Sequence, residues 1–98
     1  MSIQHTVVFR LVHERGSEAE RDFLETGRTT LTAIPGVTDF TVSEQVSPTS
    51  DMAWQFSMVF AGQEAYDAYN RHPAHVGFVT SRWEPEVAAF QEYDFVAR

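Results

Sequence analysis

Cysteine and lysine are both absent from this 98-residue chain. Without cysteine there are no thiol nucleophiles, disulfides, iron–sulfur ligands or thiolate zinc sites. Without lysine there is no Schiff-base chemistry and no phosphate-binding P-loop. All seven cationic side chains are Arg, scattered without a run against fourteen carboxylates, for a net charge of −7. Nucleic acid and anionic membrane surfaces are recognised by clusters of Lys and Arg, so neither is an expected partner. No apolar run approaches the ~18 residues of a membrane span. No basic stretch followed by an apolar one opens the chain, so no signal peptide is expected and a cytoplasmic protein is.

Aromatic residues are plentiful instead: eight Phe, three Tyr and two Trp. Each buries a large area, so an aromatic core or an aromatic-lined cavity is expected. The length implies a single domain over residues 1–98, with a core modest enough that a second subunit would help it.

Residues 3–12 are rich in β-branched and aromatic types. As a strand they place Ile3, His5, Val7, Phe9 and Leu11 on one face and Thr6, Val8, Arg10 and Val12 on the other. Ser17-Glu18-Ala19-Glu20 has the form of a capping box, and Ala19, Phe23, Leu31 and Ile34 follow at roughly helical spacing. The pattern predicts a helix over 17–33, ended by Pro35-Gly36. Gly27 inside it costs about 1 kcal/mol relative to Ala, which close approach to another element would offset. Residues 37–46 alternate as a second strand. A loop of Ser, Pro and Thr leads to a third strand with Trp54, Phe56, Met58 and Phe60 on one face. Ala65, Ala68, Tyr69 and His72 mark a helix over 63–71. Pro73 breaks it and suits the first position of a new helix carrying His75, Val76, Val79 and Trp83. Pro85 interrupts again, and Glu92-Tyr93-Asp94-Phe95-Val96-Ala97 reads as the last strand.

The order β-α-β-β-α-β is that of an α+β, ferredoxin-like fold with a four-stranded antiparallel sheet and helices on one face. Two helices cover only one side of such a sheet. A second copy packed against the other side is therefore expected, giving a homodimer.

The stretch Tyr69-Asn70-Arg71-His72-Pro73-Ala74-His75-Val76-Gly77-Phe78 carries the densest chemistry: a phenol and two imidazoles around a helix break. His75 has two readings. It is a general base near the Tyr69 phenol, or a ring that fixes the break by bonding a backbone carbonyl. Tyr69 either stabilises a developing oxyanion or is a core tyrosine with a backbone partner. His5 lies on the most apolar face of the first strand, where a satisfied core histidine is the plainer alternative to a pocket role. His72, before Pro73, caps or packs. His72 and His75 with Glu64 and Asp67 lack the spacing of zinc signatures, and Pro73 interrupts the helix that would align them, so no metal is expected. Glu18 and Glu20, and Glu84 and Glu86, sit at helix starts where the dipole favours carboxylates, and receive no chemical role.

Several of these segments together resemble the stress-responsive dimeric α/β barrel domain family. They are Gln4-His5-Thr6-Val7-Val8-Phe9-Arg10, Ile34-Pro35-Gly36-Val37, the Tyr69 to Phe78 stretch and Tyr93-Asp94-Phe95. The resemblance covers essentially the whole chain. It implies ferredoxin-like subunits whose sheets form a barrel across a dimer. One plant member is a cofactor-free polyketide cyclase that closes a ring by an aldol-type reaction. Its functional Tyr, His and first-strand His match Tyr69, His75 and His5, and its His-Pro-Ala-His-Val-Gly-Phe run extends through Phe78. The chain departs at Trp54, where that cyclase has a pocket histidine and a Trp would fill space. The resemblance implies a small apolar pocket that also includes Trp54, His72 and Phe78. It implies a cofactor-independent cyclase or lyase acting on a polyketide-like or aromatic carbonyl compound, with no cofactor required. The alternatives are a non-enzymatic binder of a small hydrophobic ligand or stress-associated protein of the same fold, and a barrel filled by its own side chains.

Overall fold

The computed structural model describes residues 1–98. The elements are β1 (Ile3–Leu11), α1 (Glu18–Thr32), β2 (Thr38–Glu44), β3 (Trp54–Phe60), α2 (Gln63–Arg71), α3 (Pro73–Phe78) and β4 (Val87–Phe95). From α3 the chain stays helical through a π turn, Val79–Trp83, and a single turn, Glu84–Glu86, before entering β4. The strands form one antiparallel sheet in the order β2-β3-β1-β4. This is the ferredoxin-like α+β arrangement, with helices on one sheet face. No helix is long and apolar enough to cross a membrane.

Strand period sets what faces the helices. Ile3, His5, Val7, Phe9 and Leu11 of β1 are all buried there. The register puts Phe56 and Glu92 on either side of Val7, and Met58 and Asp94 on either side of His5. Phe9, Phe23, Phe56, Met58 and Phe60 are the largest fully buried side chains. Full burial of each contributes about 1.5–3 kcal/mol. Edge-to-face contacts join Phe9 to Phe56 at 4.8 Å and to Phe23 at 5.9 Å between ring centroids.

The opposite face is more polar. Gln4 donates to Ser57 Oγ at 3.2 Å, and Gln55 donates to Thr6 Oγ1 at 2.7 Å. Beside them Tyr93 and Phe95 stack at 5.8 Å while about half exposed, at 46% and 51%. Nothing in the chain itself covers this face.

Local chemistry explains the helix boundaries. Ser17 caps α1 by accepting from the Glu20 amide at 3.2 Å. The Glu20 carboxylate reaches back to the Gly16 amide at 2.8 Å, so the box closes one residue earlier than its usual form. Gly27 meets β3: a Cβ there would lie 2.8 Å from the tip of Phe56. At His72 the backbone turns extended (φ −65°, ψ 135°), as a residue before proline must, and Pro73 opens α3. The π turn is tied down by Arg82, which bonds Asp22 on α1 and Glu86, while Glu86 also takes His13 Nε2 at 2.7 Å.

Two boundaries differ from expectation. Pro85 does not interrupt the helical stretch: it lies inside the turn Glu84–Glu86, near a helical start where its missing N–H costs nothing. β4 begins at Val87 rather than Glu92. Its Ala-rich start is a weak strand former, but pairing with β1 from Leu11 through Phe9 outweighs local propensity.

Candidate functional site

The break between α2 and α3 turns the chain so that Tyr69 and His75 meet across it. Their ring centroids are 4.5 Å apart. The end of α2 leaves backbone carbonyls without helical partners. His75 uses one of them: its Nδ1 lies 3.1 Å from the Asn70 oxygen, so Nδ1–H donates and Nε2 keeps its lone pair. Burial pushes the His75 pKa below 6.5, and nearby His5 pushes the same way; the Asn70 bond and Glu92 oppose them. The ring is neutral at pH 7.

His5 arrives from β1, and a carboxylate from β4 holds it. His5 Nδ1 lies 2.6 Å from Asp94 Oδ1, and the Tyr66 hydroxyl is 3.0 Å from both that nitrogen and Asp94 Oδ2. Asp94 accepts from both partners: Nδ1–H from the imidazole and O–H from the phenol. The neutral His5 ring then has its proton on Nδ1 and a bare Nε2. Burial, reinforced by Asp94, pushes the Tyr66 pKa up to about 12. Tyr69 is also raised, by burial first and then by Tyr66 and Glu92. Both phenols stay protonated donors at neutral pH.

Three groups in this constellation have no partner in the chain: His5 Nε2, the Tyr69 hydroxyl and His75 Nε2. No sealed side-chain nitrogen or oxygen lacks a hydrogen bond. These atoms are therefore not sealed, although Tyr69 is only 2% exposed and His5 6%. They open onto a cavity of about 250 Å³ between sheet and helices, which all three residues line. The remaining wall is mainly apolar, with Leu31, Phe56, Met58, Phe78 and Trp83 inside, and Phe90 and Glu92 of β4 at the edge.

The structure thus brings His5, Tyr69, His75 and Phe78 together and places two expected pocket residues elsewhere. Trp54 does not line the cavity. It sits at the start of β3, beside Phe9, where its Nε1 donates to Glu20 at 3.0 Å and Arg15 lies 5.3 Å over its ring. A shared strand face gave it the correct side of the sheet but not the correct end. His72 does not line it either: its Nδ1 accepts from the Ala74 amide at 3.1 Å and caps α3. Asp94, Tyr66 and Trp83 were missed as site residues. Tyr66 falls one residue off the stripe drawn through Ala65, Ala68 and Tyr69, yet it is Tyr66 and Tyr69 that α2 buries. No three His, Asp or Glu side chains converge as a metal-ligand set.

Fold and cavity together define a small ferredoxin-like α+β domain with a ligand-sized, hydrogen-bonding pocket under its helices. The family profile for the Stress responsive A/B Barrel Domain matches residues 3–97, and the chain belongs to that family. A Dabb-family protein of ferredoxin-like fold from Mesorhizobium loti is 49% identical, with a TM-score of 0.98 over 99% of this chain and 97% of that one. A dimeric ferredoxin-like protein of unknown function from Thermobifida fusca superimposes with a TM-score of 0.82 at 17% identity, over 99% and 92% of the two chains. The hydroxynitrile lyase from Passiflora edulis gives 0.86 at 10% identity, over 99% and 94%. These last two likenesses are of fold. No curated protein matches the sequence.

Proposed function

We propose that the protein binds a small, largely apolar carbonyl compound in the cavity between His5, Tyr69 and His75, and catalyses a cofactor-independent proton transfer on it. The reaction class is a cyclisation or lysis of a polyketide-like or aromatic substrate. The observation that carries this reading is the set of three unpaired hydrogen-bonding groups turned to one mostly apolar cavity. Polar groups buried only for stability find a partner in the protein or in ordered water, and here the three find none in the chain and share one cavity.

The roles follow from the proton positions. His75 Nε2 is a neutral, partly desolvated base and takes the proton from carbon next to the carbonyl. The Tyr69 O–H, held protonated by burial, donates to the oxygen on which charge develops. His5, fixed by Asp94, holds the substrate's polar end through Nε2. The hydroxynitrile lyase with the same fold is, by its name, a lyase, which agrees with this fold hosting lyase chemistry.

The uncovered sheet face supports a homodimer. The half-exposed Tyr93 and Phe95 flank a polar centre, and a second copy packed face to face would bury them and close a barrel. The Thermobifida fusca neighbour is described as dimeric.

The test is a screen of small carbonyl compounds for turnover with the wild type and His75→Ala, alongside solution mass by light scattering. The expected result is turnover in the wild type, loss in the variant and an unchanged dimer mass. Equal turnover in the two proteins would remove His75 from the mechanism. Tight binding with no product in either would make the protein a binder.

A further inference from the structure

Resting on the cavity reading above, we infer that the cavity selects an uncharged ligand bearing a hydroxyl or amide donor, and that Glu92 is the residue that rejects carboxylates.

The inference comes from a count of donors and acceptors. His5 Nε2 and His75 Nε2 are both bare acceptors, because each ring commits its Nδ1–H elsewhere. Tyr69 supplies the one free donor among the three groups, and Asn70, which also lines the cavity, adds a side-chain amide beside it. A ligand with acceptors alone, such as a simple ketone or ether, satisfies Tyr69 and leaves both imidazoles unpaired. A ligand that also carries an O–H or N–H bonds an imidazole as well. Leaving a desolvated acceptor unpaired is the costlier outcome, so the donor decides affinity.

Charge acts in the same direction. No Arg lines the cavity, and Glu92 is its one carboxylate. Glu92 stands opposite Val7 on the edge strand, on the sheet face that carries His5. The Asp94 carboxylate lies directly behind His5, 2.6 Å from its Nδ1. His75 is biased towards its neutral form. A ligand carboxylate would meet one fixed negative charge and no compensating positive one. At the far end Leu31, Phe78, Trp83 and Phe90 offer an apolar, largely aromatic wall, and the volume suits one substituted ring.

Three probes of one shape separate these effects: p-cresol, 4-methylanisole and 4-methylbenzoate. Calorimetric titration at about pH 8 gives affinities, and the imidazole 15N resonances of His5 and His75 report whether binding is in the cavity. p-Cresol should bind at least about fivefold tighter than 4-methylanisole, and 4-methylbenzoate should bind weakest. In Glu92→Gln the ratio of 4-methylbenzoate to p-cresol affinity should rise about tenfold, since the side chain is exposed and its field is partly screened. The inference is overturned, with the cavity reading intact, if 4-methylbenzoate shifts the imidazoles and binds as well as p-cresol. It is equally overturned if Glu92→Gln leaves the ratio unmoved. If none of the probes moves either imidazole, the cavity reading and the inference fall together.

Discussion

Replacing Gly27 with Ala tests the coupling between packing and cavity most directly. Two opposing effects have known sizes. Ala is better than Gly inside a helix by about 0.8–1 kcal/mol. Against this, the new methyl would lie 2.8 Å from Phe56 Cζ and 2.9 Å from Cε2, with Phe78 Cζ at 3.4 Å. Relief to an ordinary 3.4 Å needs a shift of about 0.6 Å by the Phe56 ring. That ring is 1% exposed and hemmed by Phe9 at 4.8 Å and Phe40 at 5.4 Å, so most directions are closed. Overpacking of this kind costs about 1–3 kcal/mol. The cavity is the one yielding direction, because Phe56 and Phe78 both line it. Gly27→Ala should therefore lose about 1 kcal/mol net, roughly 4–8 °C in Tm for a domain this size, and should weaken p-cresol binding by narrowing the cavity. Gly77→Ala is the matched control. It sits in α3 with nothing within 4 Å of the added carbon and should gain up to about 1 kcal/mol. Urea unfolding of the two variants, with calorimetry for p-cresol, decides the matter. If Gly27→Ala is stabilised as much as Gly77→Ala and binds p-cresol like the wild type, the close approach of α1 to β3 does not constrain the cavity.

Asp94→Asn removes the carboxylate that keeps the proton on His5 Nδ1; imidazole 15N spectra should then show mixed tautomers, and turnover should fall by roughly 10- to 100-fold. Unchanged spectra would mean that Tyr66 alone sets the tautomer. His75 gives a stability effect of definite sign. Its folded pKa lies below the unfolded 6.5, so between those values the unfolded chain binds more protons and stability rises with pH. His75→Gln should flatten the stability difference measured by urea unfolding between about pH 5 and pH 7; an unaltered profile would refute the assigned burial effect. His5→Leu should leave stability within about 1 kcal/mol of wild type or raise it, because Asp94 and Tyr66 still bond each other at 3.0 Å and Asp94 is 46% solvent-exposed. A loss of several kcal/mol on thermal unfolding would make His5 a structural pin.

Residues that act through local chemistry were readable in advance. The capping box placed the start of α1, Pro73 placed the break between α2 and α3, and alternation placed His5 on the buried face of β1. The family stretch from Tyr69 to Phe78 pointed at His75 for the same reason: its chemistry is concentrated within a few residues. The groups that complete the site are tertiary. Asp94 reaches His5 from the far end of the chain, through a pairing that no periodicity records. Tyr66 was obscured because small alanines suggested a stripe one residue out of phase. Trp54 was misplaced because alternation assigns a face but not a position along the strand, and only the register shows it pairing with Phe9. β4 started early because long-range pairing outweighed a weak local preference.

The two opposed readings of His5 and His75, satisfied structural rings or working groups, concern different nitrogens of the same ring, and the proposed role needs only the outer one. Each Nδ1 is satisfied, by Asp94 in one case and the Asn70 carbonyl in the other. Each Nε2 is left without a partner at the wall of one cavity. A fold under pressure for stability alone would fill that space with apolar carbon, since an open cavity forgoes packing that a domain with so small a core can use. Instead a buried phenol and a carboxylate are used to hold one imidazole in a single tautomer, and a helix is broken to hold the other. The inner nitrogens fix orientation so that the outer ones stay available. That division is what a preorganised acid–base or hydrogen-bonding site requires, and packing alone gives no reason for it.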